Sequence, residues 1–201
     1  MWDDAQHEAS VTVLLVEGHS DRVAIEALAP RLGYDLAEAR VTVVSMDGVT
    51  NLWRHIEVLA AQAPHQRVLG LFDAPEIAHV QRALEDLGLG AAGTRDELAT
   101  LGFFACEPDL EGELIRALGI ERMQELLAEH GELARFRRFQ WQPAQRERST
   151  DAQLRRFLGT HSGRKARFAP IMIDALEESR IPHALRALLA TAVEASSPAR
   201  G

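Results

Sequence analysis

Seven acidic residues stand where an α/β protein concentrates its chemistry: Glu17 and Asp21, Asp73 and Glu76, then Asp109, Glu111 and Glu113. Each group follows a short apolar run that reads as a strand, at residues 11–16, 67–72 and 101–106. In open α/β sheets ligands bind beyond the carboxyl ends of the strands, so parallel strands would bring all three groups to one rim. Carboxylates gathered there repel one another unless a divalent cation neutralises them. Oxygen-only donors suit Mg2+ or Mn2+. The eight histidines lack metal-ligand spacing and Cys106 is the single cysteine, which argues against zinc. Each acid also has a plainer use. Asp73 and Asp109 would serve as helix N-caps, worth about 1 kcal/mol each. Asp21 and Glu111 would complement helix dipoles, and Glu113 would be an ordinary surface residue. Glu17 is the exception, because an acid directly after an apolar strand and before Gly18 sits where backbone meets ligand.

The elements that must hold these groups follow from periodicity. Residues 11–16 are nearly continuous in apolar, β-branched side chains, as expected of a strand buried on both faces. Ser20 N-caps a helix carried by Val23, Ile25, Leu28 and Leu32 and ended at Gly33. Residues 41–45 read as a second strand, and Thr50 or Asn51 caps a helix through Trp53, Ile56 and Leu59. After the third strand, Asp73 caps a helix with Pro75 in its first turn, running through Val80, Leu84 and Leu87 to Gly88. The fourth strand leads into a helix over residues 109–118. Four strands alternating with helices imply a parallel sheet covered on both faces. From Ile120 onward the pattern is helical only, over 120–130, 133–139, 153–158, 167–176 and 181–193. The expected organisation is an α/β domain over 1–119, a basic helical appendage over 120–195 and a frayed tail over 196–201.

Composition narrows the field further. A chain of 201 residues suits one core plus an appendage. No apolar run approaches the roughly 18 to 20 residues of a membrane span, and the start is acidic, so a cytoplasmic protein is expected. The net charge of −8 is unevenly spread. Residues 133–170 hold ten basic residues against two acids, a local charge of +8 that leaves −16 for the remainder. Such segregation lets one face attract a polyanion while another holds hard cations. Arg137, Arg138, Arg146, Arg148, Arg164 and Arg167 are the expected nucleic-acid contacts, with a solvated helical face as the plainer reading. Lys165 is the only lysine and is followed by Ala166, so this sequence contains no Walker A loop. Nor does a G-x-G-x-x-G follow a strand, which disfavours a dinucleotide-binding enzyme. Trp141, between Arg138 and Arg146, is a core or interface residue by type and a base-stacking platform by position.

Val16-Glu17-Gly18-His19-Ser20-Asp21 and Leu71-Phe72-Asp73-Ala74-Pro75-Glu76 resemble the glutamate and aspartate motifs of a Toprim (topoisomerase–primase) domain. With Gly48-Val49-Thr50-Asn51, Phe104 to Gly119 and Gly159 to Lys165, the chain more closely resembles the Toprim region of the OLD (overcoming lysogenization defect) nucleases, over roughly residues 11–178. The resemblance implies a Toprim-like Rossmannoid sheet and a metal-dependent DNA endonuclease or nickase. It implies metal ligands at Glu17, Asp21, Asp73, Asp109 and Glu111, with Glu76 and Glu113 as additional ligands. It makes Glu17 a general acid or base and Lys165 a group that stabilises charge on the phosphate. Two departures stand out. Pro75 occupies the second aspartate position of the family's D-x-D, and no ATPase motif is present, so ATP dependence would require a separate ATPase chain. A Toprim-like module that binds nucleic acid or a partner ATPase without cleaving, and an RNA-processing Toprim nuclease, are the competing expectations.

Overall fold

The computed structural model describes residues 11–62, 65–161 and 163–194, so the tail expected over 196–201 lies outside the described residues. Strands β1 (Thr12–Val16), β2 (Val41–Ser45), β3 (Arg67–Asp73) and β4 (Phe103–Cys106) form one parallel sheet in the order β2-β1-β3-β4. In register, Val16 lies opposite both Ser45 and Leu71, and Asp73 lies opposite Cys106. The strands therefore end together at one rim.

Side chains alternate across the sheet. Leu14 and Val16 face one layer, which contains α1 (His19–Arg31), α5 (Leu110–Leu118), α9 (Arg164–Ala175) and α10 (His183–Glu194). Val13 and Leu15 face the other, built by α2 (Leu52–Gln62), α3 (Ile77–Asp86) and α4 (Arg95–Thr100). Helices α6 (Ile120–Glu129), α7 (Leu133–Gln140) and α8 (Thr150–Leu158) extend the first layer. The core is not divided at residue 119. Phe168, Met172, Leu185 and Leu188 join the same apolar cluster as Leu14, Ile25 and Leu28. Arg31 at the end of α1 donates to the carbonyls of Ile173 and Leu176, and Arg67 of β3 donates to that of Thr191 at 3.1 Å.

Several local expectations need correction. Helix α1 starts at His19 with Gly18 as its N-cap, so Ser20 lies inside the first turn. The cap is Asp21 reaching back, its Oδ2 accepting the Gly18 N–H at 2.7 Å. Thr50 and Asn51 lie in a 3₁₀ turn ahead of α2, where Asn51 donates to the Met46 carbonyl at 2.9 Å. Pro75 likewise lies in a 3₁₀ turn, Ala74–Glu76, and α3 begins only after it. Strand β4 starts two residues later than expected, because Leu101 still closes the last turn of α4. Helix α4 is too short to announce itself by periodicity. It rests on a capping box in which Thr94 Oγ1 accepts from the Glu97 N–H and Glu97 Oε2 from the Thr94 N–H. Helix α9 begins three residues before the expected start, after Gly163 turns the chain at φ +80°. That early start places Lys165 in its first turn.

Phe168 is fully buried, at 0% exposure, among side chains from both halves of the chain. Phe168→Ala is expected to cost about 3–5 kcal/mol in urea unfolding. Fluorescence and circular dichroism should report one coincident transition for wild type and variant. Two separated transitions would mean that the C-terminal helices fold on their own.

Candidate metal centre

The rim is assembled by backbone ties between the strand exits. The Val16 and Glu17 carbonyls accept from the Met46 and Gly48 N–H groups at 2.9 Å each, so the loop after β2 folds over the exit of β1. Gly48 makes that turn at φ +117°, which an L side chain rarely adopts. The exits of β3 and β4 are joined by the Ala74 N–H donating to the Pro108 carbonyl at 3.2 Å. Helix α5 then starts with Asp109 as its N-cap, Oδ1 accepting the Gly112 N–H at 2.8 Å. Gly112 is required here, since a Cβ would stand 2.6 Å from Pro108 Cδ and 3.1 Å from Asp109 Oδ1.

Glu17, Asp21, Asp73, Asp109 and Glu111 are thereby brought into one electrostatic neighbourhood. Burial pushes the Asp73 carboxyl up to about 8, reinforced by Glu17, Asp21, Asp109 and Glu111. Burial likewise raises Asp21 to about 7, against the Gly18 hydrogen bond and with help from Glu111 and Glu17. Glu17 is raised by burial and then by Glu76, while Lys165 pulls it down. Asp73 occupies the N-cap position of its 3₁₀ turn but makes no side-chain cap bond, so the capping explanation does not account for it. Asp109, by contrast, does cap its helix.

Two cations from the C-terminal helices face these acids. Lys165 Nζ donates to Glu111 Oε2 at 2.9 Å. Burial opposes the charge on Lys165, but Glu111, Asp109 and Asp73 outweigh it and hold the ammonium above its ordinary value. Arg155 on α8 donates through Nε to Asp109 Oδ2 at 2.5 Å. Arg155 is not among the expected site residues; it belongs to the basic run, but nothing in its spacing distinguishes it from Arg156.

Other expected residues fall elsewhere. Glu113 accepts the Glu107 N–H at 2.9 Å and pairs with Arg116, so the structure commits it to the loop rather than to the acid cluster. Pro75 is exposed, and Glu76 is the acid that acts most strongly on Glu17. Arg164 needs correction as a nucleic-acid contact. It is buried, donates to the Phe157 carbonyl, Thr160 Oγ1 and Glu132 Oε2, and stacks 4.1 Å from the Phe157 ring centroid. Arg137, Arg138, Arg146, Arg148 and Arg167 are exposed. His19 is exposed in the first turn of α1.

Among the described residues, no three His, Cys, Asp or Glu side chains form a ready-made metal-ligand set. The reason lies in the bonds above: Asp21 is turned to Gly18, Asp109 to Arg155 and Glu111 to Lys165. The donors nonetheless fit a hard cation. Glu17 Oε2 and Glu111 Oε1 are buried without a hydrogen-bond partner, and every candidate ligand is a carboxylate.

Residues 10–74 match the family described as "Overcoming lysogenization defect protein-like, TOPRIM domain". The fold is similar to the C-terminal region of the Xanthomonas campestris pv. campestris OLD protein, with a TM-score of 0.69 and 25% identity over 92% of this chain and 96% of that one. A second structure of the same region gives 26% identity and covers 92% and 93% of the two chains, again at a TM-score of 0.69. The C-terminal region of the Burkholderia pseudomallei OLD protein shares the fold at 19% identity and a TM-score of 0.68, covering 94% of this chain and 99% of that one. No match was found among curated protein sequences. Among the described residues, no helix is long and apolar enough to cross a membrane.

The raised carboxyls make stability depend on pH. Above the ordinary aspartate value of 3.8, the folded chain keeps protons that the unfolded chain has released, on Asp21 up to about 7 and on Asp73 up to about 8. Stability without added metal should therefore fall as pH rises through that window. Mn2+ binds the ionised form, so it should raise the Tm more at about pH 8.5 than at about pH 5.5. A Tm flat across the window and indifferent to Mn2+ at the upper end would remove the acid cluster from consideration as a metal centre.

Proposed function

We propose that this OLD-like Toprim domain, a nuclease-type domain, is a metal-dependent phosphodiesterase that cleaves or nicks DNA. The observation that carries the reading is a half-buried cluster of carboxylates whose charge is only partly offset, with a lysine set against it. Glu17, Asp21, Asp73, Asp109 and Glu111 would hold one or two Mg2+ or Mn2+ ions, with Glu76 beside them. When bound, such an ion supplies Lewis-acid stabilisation to the reacting phosphate. Glu17, whose carboxyl burial raises from its ordinary value, takes or returns a proton at its free Oε2. Lys165 donates from Nζ to a phosphate oxygen, exchanging the Glu111 contact for one with substrate. Arg155 is placed to do the same beside Asp109. The exposed arginines of α7 and of the segment between α7 and α8 hold the strand through its phosphates.

A second reading is favoured by two observations: Pro75 where a second aspartate is expected, and two candidate ligands already paired with Arg155 and Lys165. On that reading the domain holds nucleic acid or a separate ATPase without cleaving. Titration calorimetry with Mn2+ separates the two, since a non-cleaving module should show no tight ion site.

Glu17→Gln and Asp73→Asn are each expected to abolish Mn2+-dependent nicking of a supercoiled plasmid. Both remove a carboxylate that burial disfavours, so without metal at about pH 8 both should leave the Tm unchanged or higher. Lost nicking with a Tm that collapses would mark these acids as structural. Lys165→Ala should slow nicking and also lower the Tm, because Glu111, only 3% exposed, loses its counter-charge.

A further inference from the structure

A second cluster of charge lies one residue away along α9, apart from the acid rim. Glu132, at the corner between α6 and α7, is 4% exposed and accepts from three arginines. Arg164 meets its Oε2 at 3.2 Å from the buried side. Arg135 and Arg167 both approach Oε1, at 2.8 and 3.5 Å, while more than half of each side chain stays exposed. One carboxylate thus holds three guanidinium groups and leaves two positive charges uncompensated.

Those groups line a cavity of about 480 Å³ together with His161 and Gly163. An adjoining cavity of about 460 Å³ shares Arg135, His161 and Arg164 and continues to Arg138 and Gln142. Both are concavities rich in guanidinium groups, the second floored in part by Phe139 and Phe157, and Glu132 is the one acidic residue among their lining side chains. Guanidinium groups fixed in place lose little entropy on binding a tetrahedral oxyanion, and their forked donors match its oxygens. Arg164 itself is spent on the Phe157 carbonyl, Thr160 and Glu132, so its role is to neutralise Glu132 and fix its position. The anion would be met by Arg135 and Arg167, with Arg138 serving the adjoining cavity.

We propose that these two joined cavities form a phosphate-binding groove organised by Glu132, and that its occupant is the backbone of the nucleic-acid strand beyond the phosphate held at the acid rim. The groove rests on its own geometry; assigning the strand as its occupant rests on the proposed function. The placement supports that choice. Lys165 faces Glu111 at the rim, and its chain neighbour Arg164 forms the floor of the groove. Consecutive residues of one helix point about 100° apart, so a strand leaving the rim passes around α9 into the groove. Two adjoining cavities suit successive phosphates better than a single free ion.

The test is equilibrium binding of a fluorescent duplex with Ca2+ in place of Mn2+, repeated across salt concentrations, for wild type and Arg135→Ala/Arg167→Ala. The variant is expected to bind more weakly, with the slope of log K against log salt reduced by about two. Arg22→Ala, which breaks an exposed pair with Glu26 on α1, serves as the control and should bind as wild type does. Should the double variant not fold, the single Arg135→Gln should reduce the slope by about one. An unchanged slope and affinity in a folded variant overturns the strand as the groove's occupant. A second arm adds inorganic phosphate alone and reads the Tm. Stabilisation of wild type but not of the variant, with identical duplex binding, would keep the anion site and overturn the strand as its occupant. Wild type that binds duplex through this groove but never nicks with Mn2+ upholds the inference while the nuclease reading fails. The reverse, nicking with a variant that binds normally, sinks the inference alone.

Discussion

Like charges at one sheet edge set the terms for the whole molecule. Two unit charges about 4 Å apart still repel by about 4 kcal/mol at the effective dielectric of a protein surface. Here Glu17, Asp21 and Asp73 repel one another and the neighbouring Asp109 and Glu111, and burial removes much of the water that would screen them. The structure meets this cost in two ways. It lets Asp21 and Asp73 keep their protons to higher pH, and it brings two cations across from elsewhere in the chain. Lys165 covers Glu111 and Arg155 covers Asp109.

That second device explains why the C-terminal helices share a core with the sheet instead of hanging from it. Lys165 reaches Glu111 only because α9 is packed along α1, with Phe168, Met172 and Ile173 buried against it. Arg155 reaches Asp109 only because α8 lies beside α5, where Leu154, Phe157 and Leu158 join the same apolar cluster. A flexible attachment would hold neither cation at hydrogen-bond distance. The apolar packing of the late helices and the charge balance of the rim are therefore one constraint. Losing the core contact of α9 would unmask Glu111 as surely as replacing Lys165.

How far this could be read from residues alone depends on the range of the interaction. The sheet was legible because a strand buried on both faces is written locally, as in residues 12–16, and because three of the strand exits carry their own acids. Local helix starts were less so. Ser20 has the right chemistry for a cap, but the reach-back from Asp21 to Gly18 satisfies an N–H at the same terminus and moves the start. Helix α4 has six residues and no period to detect. The charge partners were hardest. Ten basic residues in one run look alike in sequence, yet Arg155 faces an acid 46 residues away, Arg164 is buried under Glu132, and Arg137 bonds two glutamines. Only tertiary packing distinguishes them. Lys165 was singled out by its rarity and by resemblance to the OLD family, and not by any local physical signal.

The segregation of charge along the chain takes on a spatial meaning at α9. Its first turn carries Arg164, Lys165 and Arg167, which face in different directions: Lys165 toward the acid rim, the two arginines toward Glu132. On the proposed function, a polyanion drawn to the basic segment would be delivered within one helix diameter, about 10–12 Å, of carboxylates that would otherwise repel it. The repulsion is what the basic groups must overcome, and their arrangement does so in stages. Exposed arginines act at long range and are screened by salt over about 10 Å at 0.1 M. Lys165, partly buried and already charged by its acidic neighbours, acts only at contact. Removing the exposed groups should weaken capture, whereas removing Lys165 should leave a strand captured at the groove and poorly accommodated at the rim. The two effects separate because the groups work over different distances, and that separation is what would distinguish the proposed phosphodiesterase rim and its groove from a merely basic surface.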